Sequence, residues 1–165
     1  MEKPPIVAVV GKSNAGKTTY LEKLIKELKS RNIKVGTIKH DVHGFDIDKP
    51  GKDTWRHAQA GADAVMISSQ SKVAVIKKME QEMSLDQAAE FISDMDIILT
   101  EGYKKSAKPK IEIYRKAHST ELLCNPNELI ALVSDADWNL DVPVFDLDDA
   151  IGVANLLQKK YNLLG

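Results

Sequence analysis

The chain has 165 residues, of which 43% are apolar and 28% charged, a balance typical of a folded domain with its own core. Its formal net charge of -1 argues against binding to nucleic acid or to a membrane surface through bulk charge. The single cysteine, Cys124, excludes an internal disulfide. No stretch is apolar for long enough to form a signal peptide or a membrane span, so we expect a cytoplasmic protein.

Strands and helices alternate along most of the chain. The β-branched run Ile6–Val10 predicts a strand buried on both faces, and the apolar stripe of Lys17–Ser30 predicts an amphipathic helix. The elements predicted after these are strand Ile33–His40, loop Asp41–Asp53, helix Thr54–Ala62, a hairpin of strands Asp63–Ser68 and Lys72–Lys78, helix Ser84–Ile92, strands Asp96–Thr100, Pro109–Arg115, Leu129–Ser134 and Pro143–Leu147, and helix Asp148–Tyr161.

This order of elements predicts an α/β fold in which helices cover both faces of a mainly parallel sheet, a three-layer sandwich. The hairpin, together with the alternating polar and apolar residues of Pro109–Arg115, indicates an antiparallel portion at one side of the sheet. We expect residues 1–165 to form a single domain, which the glycine-rich loop between its first strand and first helix identifies as nucleotide-binding.

A glycine-rich loop joins the first strand to the first helix and matches the phosphate-binding pattern G-x-x-x-x-G-K-[ST]. Its glycines permit backbone angles that side chains forbid, so that backbone amides and the helix N-terminus face a phosphate. Lys17 is expected to reach the β- and γ-phosphates of a nucleotide, and the Thr18 hydroxyl to bind Mg²⁺. The pattern therefore predicts a P-loop NTPase-type fold. The predicted phosphate-binding residues are Gly11, Lys12, Ser13, Asn14, Ala15, Gly16, Lys17, Thr18 and Thr19.

An acidic residue at the end of a neighbouring strand commonly completes a Mg²⁺–nucleotide site. Glu101 follows the buried-type strand Asp96–Thr100 and is our candidate, with Lys17, for a catalytic role. Asp96 lies at the opposite end of that strand. It is the poorer candidate, because ligands bind at the carboxyl ends of parallel strands. Asp41, just after the second strand, is a further candidate for the Mg²⁺ site.

Two features near the loop have open interpretations. Lys12 matches the place of an additional lysine that, in one group of P-loop proteins, reaches across a dimer to the partner's nucleotide; the alternative interpretation is a surface lysine that adds positive potential. The loop Asp41–Asp53 is rich in histidine and aspartate, but its spacing lacks the pattern of a transition-metal site. A mobile loop near the γ-phosphate, or a solvated one, are the alternative interpretations.

Three segments together make the chain resemble the MobB family, the accessory proteins of molybdopterin-guanine dinucleotide biosynthesis. They are "GKSNAGKTT", "KVGTIKHDVHGFDIDKPGKDTWRHAQAGA" and "DIILTEGYKKSAKPKIEIYR", and the resemblance covers roughly residues 6–150. It implies a homodimer that binds GTP with Mg²⁺ and hydrolyses GTP weakly. It also implies a MobA-type guanylyltransferase as partner, with molybdopterin itself as a further candidate ligand.

The family's functional residues fall on two further parts of this sequence. The acidic strand-end residue corresponds to Glu101, followed by Gly102, Tyr103 and Lys104. The second family block contains His40, Asp46, Asp48, Gly51, Asp53 and Arg56.

The choice of base is not encoded in a familiar motif. Guanine-selective P-loop proteins commonly use N-K-x-D, which this chain lacks. Asp135, after the strand Leu129–Ser134, is the candidate for reading the guanine edge, and the preference for GTP rests on the resemblance.

Two other functions remain open from the sequence. A small-molecule P-loop kinase usually closes an arginine-bearing lid over its phosphates, and no compact segment here carries two of the three arginines, Arg31, Arg56 and Arg115. A non-hydrolytic module that only binds nucleotide or molybdopterin is the second. No glutamine follows Glu101 and no arginine lies near the loop in sequence, which favours slow hydrolysis.

Overall fold

A computed structural model describes residues 3–164. Its contacts group the chain into two compact units, one running to His40 and resuming at Leu85, the other Asp41–Ser84. The elements of the first unit are β1 Ile6–Val10, α1 Lys17–Ser30, β2 Val35–Lys39, α3 Leu85–Glu90, β5 Ile97–Glu101, β6 Lys110–Tyr114, a 3₁₀ turn Pro126–Glu128, β7 Leu129–Ser134, β8 Val144–Phe145 and α4 Ala150–Tyr161. Those of the second are α2 Asp53–Gln59, β3 Ala64–Ser68 and β4 Val73–Lys77.

The first unit is built on a six-stranded sheet of order β2-β5-β1-β6-β7-β8, in which every neighbouring pair is parallel. Helices α1 and α4 pack over one face, and α3 and the segment after β6 lie over the other. The predicted α/β fold of P-loop type, with a mainly parallel sheet between layers, is confirmed. No helix among residues 3–164 has the length and apolar character required to cross a bilayer.

The predicted antiparallel portion is present, but not where it was expected. Strands β3 and β4 form a hairpin that is a separate two-stranded sheet in the second unit, rather than one side of the main sheet. The assignment of Pro109–Arg115 to an antiparallel portion is wrong, because β6 is parallel to both β1 and β7. Its alternation arises because its two faces meet different surroundings, although both are buried.

The two faces of the main sheet differ in chemistry. The buried sheet residues on the face under α1 and α4 are all apolar, and Val7 and Val9 among them are fully buried. The four buried polar or charged residues described all lie on strand positions that point to the opposite face. These residues are Thr100, Lys110, Glu112 and Ser134.

The segment after β6 covers this polar face and satisfies its charges. The backbone N–H groups of Leu123 and Cys124 donate to the two carboxylate oxygens of Glu112, at 2.6 and 3.0 Å. Lys110 Nζ donates to the Ser106 carbonyl at 2.7 Å and to the Glu128 carboxylate at 2.8 Å. Buried charges are tolerated only with such partners, so these two side chains fix the path of the covering segment.

Burial of Glu112 predicts a specific pH dependence of stability. Desolvation raises the pKa of its carboxyl above 4.5, although the two backbone hydrogen bonds oppose the rise. The stabilisation linked to this group is therefore fully present below the unfolded-state pKa and is lost as the pH rises through the folded-state pKa. We expect the free energy of unfolding of the wild type, relative to Glu112→Gln, to fall between about pH 4 and about pH 8.

Urea denaturation at both pH values measures this difference. Glu22→Gln on the exposed side of α1 controls for the change in net charge. A wild-type advantage over Glu112→Gln that grows with pH contradicts the prediction.

Candidate functional site

The glycine-rich loop lies at the carboxyl end of the central strand β1 and leads directly into α1. A Cβ atom added to Gly11 would lie 2.5 Å from the carbonyl oxygen of Ile113 on β6, so only glycine fits this approach of two backbones. Asn14 and Gly16 have left-handed backbone angles, with φ of 62° and 91°. Residues 11–18 thus make the sharply turned connection that a phosphate-binding loop requires.

The N-terminus of α1 presents amide groups that the helix does not use. The first hydrogen bond of the helix runs from Tyr20 N to Gly16 O at 2.9 Å, so the amides of Lys17, Thr18 and Thr19 precede it. No acidic side chain occupies the first turn, which leaves the positive end of the helix dipole unopposed by a local carboxylate. An anion is the ligand that this end of the helix favours.

Lys17 lies across the loop. Its Nζ atom donates to the carbonyl oxygens of Gly11 and Lys12, both at 3.1 Å. The ammonium group is therefore held on the loop, at a place from which it can exchange backbone carbonyls for phosphate oxygens.

Thr18 and Glu101, the two residues predicted to bind Mg²⁺, are in contact. The Thr18 hydroxyl donates to Oε1 of Glu101 at 2.9 Å, although 83 residues separate them. Glu101 ends β5, directly beside β1, and a hydroxyl next to a carboxylate supplies the hard oxygen donors that fit Mg²⁺. Asp96, at the other end of the same strand, instead accepts a hydrogen bond from Lys34 N at 2.7 Å and lies away from the loop.

The residues that follow Glu101 turn back over the end of β2. His40 N donates to the carbonyl of Glu101 at 3.0 Å. Tyr103 adopts a left-handed φ of 53°, and its ring lies 4.7 Å from the His40 ring. His40 and Tyr103, both from segments that carry the family resemblance, therefore lie next to the Thr18–Glu101 pair.

Lys12 has a partner within its own chain. Its Nζ atom lies 3.6 Å from the carboxylate of Glu121, in the segment that covers the polar face of the sheet. Its side chain is 35% exposed, so the pair lies at the surface, where such ion pairs contribute little to stability.

Asp41 belongs to the other compact unit. There its carboxylate accepts a hydrogen bond from His43 N at 2.9 Å. Within residues 3–164, no three His, Cys, Asp or Glu side chains are grouped so as to hold a metal ion. A part for Asp41 in the magnesium site stays a prediction.

Asp135 lies in a cleft at the carboxyl ends of β7 and β8. The cleft has a volume of about 770 Å³, and its lining includes Asp135, Trp138 and Phe145. One oxygen of Asp135 accepts a hydrogen bond from Lys116 N at 2.8 Å. Aromatic and acidic side chains thus line a cleft next to the end of β6.

One site residue was missed by sequence reasoning. Arg115 directly follows β6, and its Nε atom donates to the carbonyl oxygen of Ala15 at 3.1 Å. The statement that no arginine is near the loop holds for the sequence but not in space, because β6 pairs with β1 and brings its end beside the loop. The signal available was position: Arg115 ends a predicted strand, as Glu101 does.

The family model "Molybdopterin guanine dinucleotide synthesis protein B" matches residues 6–135. The chain belongs to the MobB family. The resemblance seen in the sequence is thereby confirmed.

Individual relatives agree with this membership. One relative is a protein of Escherichia coli strain K12 named molybdopterin-guanine dinucleotide biosynthesis adapter protein. It is 38% identical in sequence, and the match covers 93% of this chain and 91% of the relative. The protein of the same name from Haemophilus influenzae is 32% identical, and the match covers 93% of this chain and 88% of the relative. The crystal structure of Bacillus subtilis MobB matches with a TM-score of 0.72 and 28% identity, over 98% of this chain and 99% of that one.

Proposed function

We propose that this protein is an adapter in molybdopterin-guanine dinucleotide biosynthesis that binds GTP with Mg²⁺ and hydrolyses it slowly. The observation that carries the nucleotide part is the arrangement of Lys17 on the loop together with the 2.9 Å contact between Thr18 and Glu101. The curated relatives named as adapters support the pathway.

In this proposal each part of the site has one task. The loop amides and Lys17 bind the β- and γ-phosphates, and Thr18 and Glu101 hold the magnesium ion, which neutralises phosphate charge when bound. The cleft at Asp135 receives the base, and the preference for guanine over adenine follows from the family rather than from a base-reading motif.

Slow hydrolysis follows from the groups beside the proposed magnesium site. Rapid hydrolysis needs a side chain that orients the attacking water. Glu101 is committed to magnesium in this scheme, and the residues after it are Gly102 and Tyr103 rather than a glutamine. We therefore expect phosphate release far slower than in enzymes that carry such a group.

Calorimetry with Mg·GTP and Mg·ATP tests the nucleotide site. Lys17→Ala removes the ammonium group that is expected to donate to the phosphate oxygens of the nucleotide. We therefore expect GTP affinity to fall on the order of tenfold or more. Lys26→Ala, an exposed lysine on the same helix, is the matched control and should bind as the wild type does. Equal affinity of the wild type for GTP and ATP removes the guanine claim, and undiminished binding by Lys17→Ala removes the loop from the site.

The word adapter implies a second protein, and we propose a MobA-type guanylyltransferase, which handles the same guanine nucleotide. We expect the purified guanylyltransferase of the same genome to form a complex with this chain, measured by analytical ultracentrifugation with and without Mg·GTP. Lys17→Ala separates nucleotide-dependent from nucleotide-independent association. The absence of a complex in both conditions refutes this partner.

We also propose a homodimer formed through the β3–β4 sheet of the second unit. Side chains alternate along paired strands, so Met66, Val73 and Val75 lie on one face, and they are 65%, 62% and 48% exposed. Val65 on the opposite face is buried. A two-stranded sheet is marginal in water by itself, and a second copy offers an identical apolar face across a two-fold axis.

Light scattering during gel filtration tests this dimer. The wild type should elute with twice the chain mass of 18.3 kDa, and Val75→Glu, which places a charge on the shared face, should elute as a monomer. Gln70→Glu at the exposed hairpin turn adds the same charge away from that face and should remain dimeric. A wild-type monomer, or a Val75→Glu dimer, overturns the assignment of this face.

A further inference from the structure

Arg115 is the one described arginine that touches the phosphate loop. Besides the hydrogen bond from Nε to Ala15 O, the Nε–Nη2 edge of its guanidinium faces Gly16. A Cβ atom built on Gly16 would lie 3.4 Å from Nε, 3.5 Å from Nη2 and 3.8 Å from Cζ. Arg115 thus lies in contact distance of the backbone of the residue immediately before the helix.

This contact fixes the direction of one backbone amide. The peptide between Ala15 and Gly16 is trans, and in a planar trans peptide the C=O and N–H bonds point in opposite directions. Because Arg115 holds the carbonyl on its own side, the Gly16 N–H points away from Arg115. No backbone carbonyl described in residues 3–164 accepts from that N–H, which leaves the donor available to an anion in the loop.

Among the described residues, no carboxylate forms an ion pair with Arg115. Asp148 accepts a hydrogen bond from Lys23. The pKa of Asp148 is lowered first by that lysine and only weakly by the charge of Arg115. Within the described residues, the Nη atoms of Arg115 have no hydrogen-bond acceptor from the protein. A half-buried guanidinium in this state adds positive potential to the loop.

Arg115 also stands next to the proposed base cleft. Its neighbour Lys116 donates its backbone N–H to Asp135, which lines that cleft. Two consecutive residues therefore hold the phosphate loop on one side and the acidic residue of the cleft on the other.

We propose that Arg115 is a positioning residue for nucleotide phosphate. It holds the Ala15–Gly16 peptide so that the Gly16 amide faces the phosphate, and the next residue, Lys116, holds Asp135 of the base cleft. This inference rests on the proposed nucleotide binding and names a residue that the phosphate-loop pattern does not contain.

The test compares Arg115→Ala and Arg115→Lys with the wild type, using calorimetry with Mg·GTP and with magnesium tripolyphosphate. We expect Arg115→Ala to bind both ligands about tenfold more weakly, since a charge-assisted hydrogen bond and a charge are lost. Arg115→Lys keeps a donor and the charge, so its affinity should lie between that of the wild type and that of Arg115→Ala. Methylguanidinium at millimolar concentration should restore part of the affinity of Arg115→Ala, which a merely structural defect would not show.

Arg31→Ala is the matched control, since Arg31 bonds to Glu27, Asn155 and Gln158 away from the loop. It should lose thermal stability without losing affinity, and methylguanidinium should not change its binding. The inference is overturned if Arg115→Ala binds tripolyphosphate as the wild type does, or if its loss is not rescued. If the wild type binds tripolyphosphate but not GTP, the guanine nucleotide proposal fails while the Arg115 comparison still stands on tripolyphosphate. If it binds neither, both fail.

Discussion

The pairing of β1 between β5 and β6 is the constraint on which the site depends. Both neighbours run parallel to β1, so all three strands end at the same edge of the sheet. The loop leaves β1 at that edge and is flanked by Glu101 from β5 and Arg115 from β6. An antiparallel neighbour on either side would have placed its amino end there and removed one of these side chains from the loop.

Local patterns in the sequence were sufficient to predict the loop and much of the sheet. The apolar run Ile6–Val10 and the stripe of Lys17–Ser30 each have one consistent period, and both elements have the predicted bounds. Glu101 was identifiable because a carboxylate directly after a buried strand must lie at a sheet edge. Each of these predictions depends only on the sequence within a few residues of the loop, strand or helix concerned.

The other features depend on contacts between distant residues. The alternation in β6 normally indicates a strand with one solvated face, yet here the polar side chains Lys110 and Glu112 are about 1% exposed. Their partners lie on both sides of the strand, at Ser106 before it and at Leu123, Cys124 and Glu128 after it, in segments with no periodic signal of their own. Arg115 was missed for the same reason, since its acceptor Ala15 is 100 residues away and strand order decides that they meet.

The hydrogen bonds that Lys17 and Arg115 make to the loop carbonyls have a consequence for recognition. Three carbonyl groups of the loop, those of Gly11, Lys12 and Ala15, accept hydrogen bonds from the side-chain cations of Lys17 and Arg115. The Arg115 bond in particular orients the loop backbone from within the chain, which reduces the ordering that a phosphate would have to supply. A receptor preorganised for phosphate treats all nucleoside triphosphates alike, so discrimination among them must come from surfaces beyond the loop.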